Sequence, residues 1–149
     1  AGFTPIRVEG ATGYLDTNYL GKAEAALRAL QSCDFVLIHV EAPDEAGHSG
    51  NTQEKIEAIE AFDEKVVGTI LKGLEEFASY RILVVSDHLT PITKKTHTSE
   101  PTPFAWASDK ELESTTKGPP YTEASAQKSG FIFEDGHKLM PSFLSQTPP

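Results

Sequence analysis

Apolar residues recur at helical spacing in three parts of this chain. Within 23–31 they share one helical face, and over 51–77 they recur every three or four positions, as in a long amphipathic helix. Asn51 followed by Glu54 three residues later resembles a capping box, which predicts where this helix begins. A shorter helix is predicted near the end, over 135–144.

Four other apolar runs have the length of strands. Residues 35–40 and 81–86 are almost continuously apolar, which is typical of strands covered on both faces. Residues 103–107 predict a third strand and 131–133 a short edge strand. Strands that alternate with helices indicate an α/β fold with a mainly parallel sheet and helices on both faces.

The polar segment 108–129 interrupts this order. It has no period and contains Gly118, Pro119 and Pro120, so it is predicted to be a surface loop within one domain over 1–149. The single cysteine, Cys33, cannot form an internal disulfide and is expected to be a small buried residue.

Composition excludes several classes of function. The net charge of −9 argues against nucleic-acid binding, which needs clustered lysine and arginine. No run of eighteen apolar residues, basic leader or lipidation signal is found, which predicts no membrane partner and a cytoplasmic location.

Histidine and aspartate cluster in three short runs of the chain. Asp44 and His48 follow the first predicted strand, Asp87 and His88 close the second, and His97 comes shortly after. Because parallel strands end at one edge of a sheet, these five side chains are expected to converge on a two-metal site. Carboxylate oxygen with imidazole nitrogen suits Mn²⁺, Zn²⁺, Fe²⁺ or Co²⁺ better than Ca²⁺ or Mg²⁺.

Spacing and charge refine this candidate site. Asp44 and His48 are four residues apart, so they share a face of one helical turn, whereas the adjacent Asp87 and His88 should diverge, straddling two ions or serving one. Two divalent ions bring four positive charges against two carboxylates. A phosphate substrate, an ionised nucleophile or further carboxylates would balance them, and paired ions about 4 Å apart recur in phosphoryl transfer.

The remaining candidates have simpler interpretations. Alone, each of these residues could be a surface histidine or a helix cap. His39 is expected to support the site or pack in the core, and His137 to be structural or exposed. Ser49 and Ser86 adjoin the site, and supporting hydrogen bonds are favoured over a nucleophilic role because nucleophiles need an activating base or metal.

Lysines near these runs could meet an anionic substrate. Lys94 and Lys95 precede His97 and either attract phosphate or lie solvated, the latter being favoured. Lys22 and the turn over 12–17 could also approach substrate.

Three runs carry a resemblance to a known family. They are His-Val-Glu-Ala-Pro-Asp-Glu-Ala-Gly-His (39–48), Val-Ser-Asp-His-Leu-Thr-Pro (85–91) and Thr-His-Thr-Ser-Glu-Pro-Thr-Pro-Phe (96–104). They resemble the cofactor-independent phosphoglycerate mutases, in the archaeal-type branch of the alkaline phosphatase superfamily. Residues 10–18, Gly21-Lys22 and 130–144 are similar to the same branch, so the resemblance covers nearly the whole chain and implies an alkaline-phosphatase-like core.

The resemblance also implies how the site works. Asp44, His48 and His97 would bind one divalent ion and Asp87 with His88 the other, the ions being Mn²⁺, Zn²⁺, Co²⁺ or Mg²⁺. A serine nucleophile would take the phosphoryl group and return it to the neighbouring hydroxyl. That reaction interconverts 2-phosphoglycerate and 3-phosphoglycerate without a bisphosphoglycerate cofactor.

Members of this family are much longer, and their nucleophilic serine lies in an N-terminal stretch that has no counterpart here. The chain is therefore expected to be a C-terminal portion with an incomplete sheet, without a catalytic nucleophile and inactive alone, and to bind at most one ion tightly. A homodimer would cover the exposed sheet edge. The alternatives are another metal-dependent phosphomutase or phosphatase, or a non-catalytic metal-binding domain.

Overall fold

The computed structural model describes residues 2–114 and 118–145. These residues form two compact units. We call Ala1–Ala78 with Thr90–Thr98 the helical unit, and Ser79–Leu89 with Ser99–Pro149 the sheet unit. None of the helices in the described residues combines the length and the apolar character needed to cross a membrane.

Two helices of the helical unit begin at asparagine caps. Helix α1 begins after Asn18, whose side chain accepts a hydrogen bond from the Gly21 N–H, and α3 begins after Asn51, which accepts from two N–H groups. The segments are α1 (Tyr19–Leu30), α2 (Ala42–Ser49), α3 (Thr52–Ala61), a π-helical stretch (Phe62–Val67) and α4 (Gly68–Leu74). The helix predicted over 51–77 is thus confirmed, with a π-helical stretch in its middle.

Small residues allow α1 to pack closely against α4. A Cβ atom at Gly73 would collide with the Leu27 side chain. Because Gly73 has no side chain, Leu27 of α1 can pack directly against the backbone of α4. Ala23 and Ala58 are fully buried, and Val66 and Leu74 almost so. The apolar positions that predicted these helices therefore form the core of the helical unit.

The apolar run 35–40 is not a strand, contrary to the sequence prediction. Its residues form no regular secondary structure, and Leu37 is 62% exposed. A strand exists only with a hydrogen-bonded neighbour. The one sheet found in the described ranges pairs two other segments, so this run has no partner there.

The sheet unit contains β1 (Arg81–Val85) and β2 (Phe104–Ser108), which pair antiparallel with Leu83 opposite Trp106. Both strands were predicted, but the mainly parallel sheet was wrong. Parallel pairing needs a crossover of a dozen or more residues, usually a helix, whereas residues 86–103 contain turns and no helix. The fold class remains α/β.

The rest of the sheet unit contains short helices. Two of them, α5 (Asp109–Ser114) and α6 (Glu123–Ser129), lie in the segment predicted as a loop, and both lack buried residues. Residues 115–117 of that segment are outside the described residues. The predicted strand at 131–133 is not formed, whereas a 3₁₀ turn (Gly136–Lys138) and α7 (Leu139–Ser145) confirm the predicted last helix.

Aromatic rings hold the sheet unit together. Phe104 and Phe133 have ring centroids 5.7 Å apart, and Trp106 and Phe143 6.0 Å apart. The Arg81 guanidinium donates to the backbone carbonyls of Phe143 and Leu144 at the end of α7. The strand pair and the last helix are therefore joined by both apolar and polar contacts.

Candidate metal centre

Helix α2 places two candidate ligands one turn apart. Pro43 lies in its first turn, where a missing N–H costs nothing, and Gly50 ends it with a left-handed φ of 75°. Asp44 lies in the first turn and His48 in the last, where the helix dipole favours an acid and a base respectively. The four-residue spacing therefore places both side chains on one face, as predicted.

His97 joins this pair within the helical unit. His48 Nε2 lies 3.3 Å from Asp44 Oδ2 and 3.1 Å from His97 Nε2. His97 Nε2 lies 3.6 Å from Asp44 Oδ1. We call these three residues the three-residue cluster. Its side chains are between 26% and 52% exposed, so an ion from solvent can reach it.

The separations within the three-residue cluster fit a divalent ion. Bond lengths of about 2.0–2.2 Å place the ligand atoms of a tetrahedral ion about 3.3–3.6 Å apart. The three separations in this cluster are 3.1–3.6 Å, with Asp44 Oδ2 facing His48 and Asp44 Oδ1 facing His97, so they are close to that range. One carboxylate and two imidazoles also match the donors that Zn²⁺, Mn²⁺ and Co²⁺ accept.

The second ring nitrogen of His48 is held by the backbone. His48 Nδ1 lies 3.1 Å from the carbonyl oxygen of Lys95. Because a carbonyl can only accept, Nδ1 carries the proton, and the neutral form of the ring would present the Nε2 lone pair to the cluster. Histidines that bind metals generally donate their other N–H to such a group.

Asp44 is held by Thr90. The Thr90 hydroxyl donates to Asp44 Oδ1, and Thr90 is only 5% exposed. The ammonium of Lys55 donates to the Thr90 carbonyl at 3.3 Å. Burial lowers the pKa of Lys55, while the Asp44 carboxylate acts in the opposite direction. Neither Thr90 nor Lys55 was selected from the sequence, because their proximity to Asp44 arises only in the folded chain.

Asp87 and His88 lie in the sheet unit, directly after β1. Their side chains were expected to diverge, but His88 Nε2 lies 3.5 Å from Asp87 Oδ2. The His88 N–H also donates to Asp87 Oδ1. The Asp87 side chain is 80% exposed. Their convergence with the three-residue cluster remains a prediction.

The other sequence candidates have structural contacts. The Ser49 hydroxyl donates to the Ala46 carbonyl and accepts from the Asn51 N–H, as expected for a supporting residue. The Lys22 ammonium donates to the backbone carbonyl of His39, and burial lowers its pKa although Glu41 opposes the shift.

The exposure of four further residues tests what the sequence predicted for them. The side chain of His39 is exposed, so a core role for it was wrong. Cys33, expected to be buried, is exposed as well. Lys94 and His137 are exposed, as the solvated interpretations predicted.

An open groove of about 660 Å³ adjoins His48 within the helical unit. Its lining includes His48, Tyr14 and the acidic residues Asp16, Glu45 and Glu54. Carboxylates that line a groove attract cations from solvent. The groove therefore offers a metal ion a route to His48.

Residues 1–140 match a family described as the metalloenzyme superfamily. The chain belongs to the metalloenzyme superfamily. Dependence on a divalent metal is therefore implied by the family as well as by the donor set of the three-residue cluster.

Curated relatives of this metalloenzyme chain are named as mutases. It is 53% identical over 146 residues to a probable 2,3-bisphosphoglycerate-independent phosphoglycerate mutase of Geobacter sulfurreducens, with 98% of this chain and 36% of the relative covered. It is 47% identical over 141 residues to a 2,3-bisphosphoglycerate-independent phosphoglycerate mutase of Methanothrix thermoacetophila. That match covers 94% of this chain and 36% of the relative. The chain thus spans about a third of the length of these relatives.

A solved structure supports the fold. A protein of known structure from Pyrococcus horikoshii superposes with a TM-score of 0.80 at 32% sequence identity. The match covers 98% of this chain and 43% of that protein.

Proposed function

We propose that these residues form the metal-binding part of a 2,3-bisphosphoglycerate-independent phosphoglycerate mutase with an alkaline-phosphatase-like core. The enzyme would interconvert 2-phosphoglycerate and 3-phosphoglycerate in the cytoplasm without a bisphosphoglycerate cofactor. The observation that carries this proposal is the spacing of Asp44, His48 and His97, whose donor atoms lie 3.1–3.6 Å apart. The names of the curated relatives supply the reaction.

Each member of the three-residue cluster has a distinct part in this proposal. Asp44 would supply negative charge, and His48 and His97 would supply nitrogen donors, with the Nδ1 side of His48 held by the Lys95 carbonyl. A divalent ion bound there acts as a Lewis acid toward a phosphate oxygen. Asp87 and His88 would contribute to a second ion.

We assign no nucleophile to this chain. The Ser49 hydroxyl already donates to one backbone group and accepts from another where α2 ends and α3 begins. The Ser86 carbonyl accepts from the Thr102 hydroxyl in the turn after β1, where Ser86 supports the segment that carries Asp87. Among the described residues, neither serine hydroxyl has a hydrogen bond to a histidine or carboxylate that could act as the activating base.

Titration of the 149-residue chain with Mn²⁺, Zn²⁺ or Co²⁺ tests the metal site. We expect one tight site per chain, because the three-residue cluster offers three ligands while Asp87 and His88 offer two. His97→Ala should abolish tight binding. His137→Ala is the matched control, since His137 is an exposed histidine outside the cluster, and should bind as the parent chain does. Equal affinity in the two variants would refute the site.

A chimaera tests the substrate. The matching 141 residues of the Methanothrix thermoacetophila relative would be replaced by this chain, which is 47% identical there. We expect the chimaera to convert 3-phosphoglycerate, and His97→Ala within it to lose that activity. The description of the matching family names no substrate. Hydrolysis of an aryl phosphate without mutase activity would therefore favour a phosphatase instead.

A further inference from the structure

The segment 90–95 lies against the helix that carries two of the three candidate ligands. A Cβ atom at Gly47, in the middle of α2, would lie 2.5 Å from the Thr90 carbonyl oxygen and 2.9 Å from its methyl group. A Cβ atom at Gly50 would collide with the Lys95 side chain. Both glycines therefore bring α2 into direct contact with the segment, which also leads to His97.

The first end of this segment contacts Asp44. Thr90 is almost fully buried and its hydroxyl donates to Asp44 Oδ1. Its own carbonyl accepts from the Lys55 ammonium, which fixes the backbone at this residue. A hydrogen bond to one carboxylate oxygen restricts rotation of the group. Oδ2 is thereby kept facing His48 Nε2 at 3.3 Å.

The other end of the segment contacts His48. Lys95 has a φ of 55°, the only left-handed value at a residue other than glycine in the described parts of the chain. The N–H groups of Lys94 and Lys95 both donate to the Pro91 carbonyl at 2.9 Å, which closes the turn. Side chains disfavour this conformation, and such strain is concentrated at functional sites. In this turn the strained residue is Lys95, and its carbonyl oxygen accepts a hydrogen bond from His48 Nδ1 at 3.1 Å.

We propose that Thr90 and Lys95 are positioning residues of the metal centre, Thr90 through its hydroxyl on Asp44 and Lys95 through its carbonyl on His48. This inference rests on the proposed function, because it concerns ligands of that same site. It assigns the two contacts to one short segment, so the carboxylate and the imidazole are oriented together. The Lys95 ammonium has no part in it.

The Thr90 contact is tested with a pair of variants of the 149-residue chain and Co²⁺ as the probe. Thr90→Val keeps the shape of the side chain and removes the donor, and Thr90→Ser keeps the donor. We expect Thr90→Val to weaken Co²⁺ binding roughly 10–100-fold and to shift the visible absorption bands of the bound ion. Thr90→Ser should restore both the affinity and the spectrum.

The Lys95 contact is tested through the backbone. Lys95→Gly retains the left-handed conformation and the carbonyl, so Co²⁺ affinity should stay near that of the parent chain. Lys95→Val disfavours the conformation and should weaken binding and change the Co²⁺ spectrum. Lys94→Val, at the exposed neighbouring lysine, is the control and should leave both unchanged.

Three results would overturn the inference. They are unchanged affinity and spectrum in Thr90→Val, equal weakening in Thr90→Val and Thr90→Ser, and unchanged binding in Lys95→Val. If Thr90→Val fails to fold, as judged by circular dichroism, the Lys95 pair decides. Failure of the parent chain to bind any ion overturns the proposed function as well, whereas binding that is lost in His97→Ala but kept in Thr90→Val overturns only the positioning roles.

Discussion

Single residues decide whether the ligand-bearing helix can reach its neighbours. Gly47 has ordinary helical geometry, so its role is not a special backbone angle. What matters is the missing side chain. The Thr90 backbone occupies the space where a Cβ atom would stand.

Gly47→Ala should therefore destabilise the chain by about 1–3 kcal/mol, since backbone atoms must move to relieve the overlap. Gly68→Ala is the matched control, because a Cβ atom there meets only the Asp63 carbonyl, at an ordinary 3.5 Å. That substitution should stabilise the chain by about 0.5–1 kcal/mol through helix propensity. Urea unfolding of both variants measures the difference, and equal stabilities would contradict the packing argument.

Among the elements, helix starts were more predictable than strand pairing. The Asn51 cap was read from a local pattern and is confirmed, although only half of the capping box forms. The Asn51 N–H donates to the Ser49 hydroxyl. Local contacts within a few residues fix such a cap, whereas the direction of β1 against β2 depends on residues that are 19 to 27 positions apart.

Asn51→Ala should destabilise the chain by about 1 kcal/mol, because the Gln53 and Glu54 N–H groups lose their acceptor. Gln53→Ala is the control in the same turn. It removes only an exposed hydrogen bond to Glu57 and should change the free energy of unfolding by less than about 0.5 kcal/mol. Thermal or urea unfolding distinguishes the two, and a larger loss in Gln53→Ala would exclude the cap as the cause.

At the scale of the whole molecule, exposed apolar residues favour self-association. Leu37 is 62% exposed and Ile132 is 67% exposed. In the described residues, each strand of the two-stranded sheet has a single hydrogen-bonded neighbour, which leaves an outer edge. We retain the homodimer expected from the sequence as a proposal on these grounds.

Sedimentation velocity at increasing concentration should therefore detect dimers of the 149-residue chain. Leu37→Lys should weaken association by placing a charge in an exposed apolar run. Gln53→Lys adds the same charge at an exposed polar position and should leave association unchanged. A chain that stays monomeric at every concentration would contradict the proposed homodimer.

The sequence by itself predicted the helices over 23–31, 51–77 and 135–144, the strands at 81–86 and 103–107, and the shared face of Asp44 and His48. The ligand set Asp44, His48 and His97 follows from the family resemblance and remains a proposal. Spacing within a segment is a local property. The four-residue separation of Asp44 and His48 was therefore enough to predict that both lie on one face of α2. Tertiary structure alone decided that 35–40 has no strand partner in the described residues, that the sheet is antiparallel, and that Thr90 and Lys95 contact the candidate ligands. Those outcomes depend on contacts between distant segments, which no local pattern of apolar and polar residues encodes.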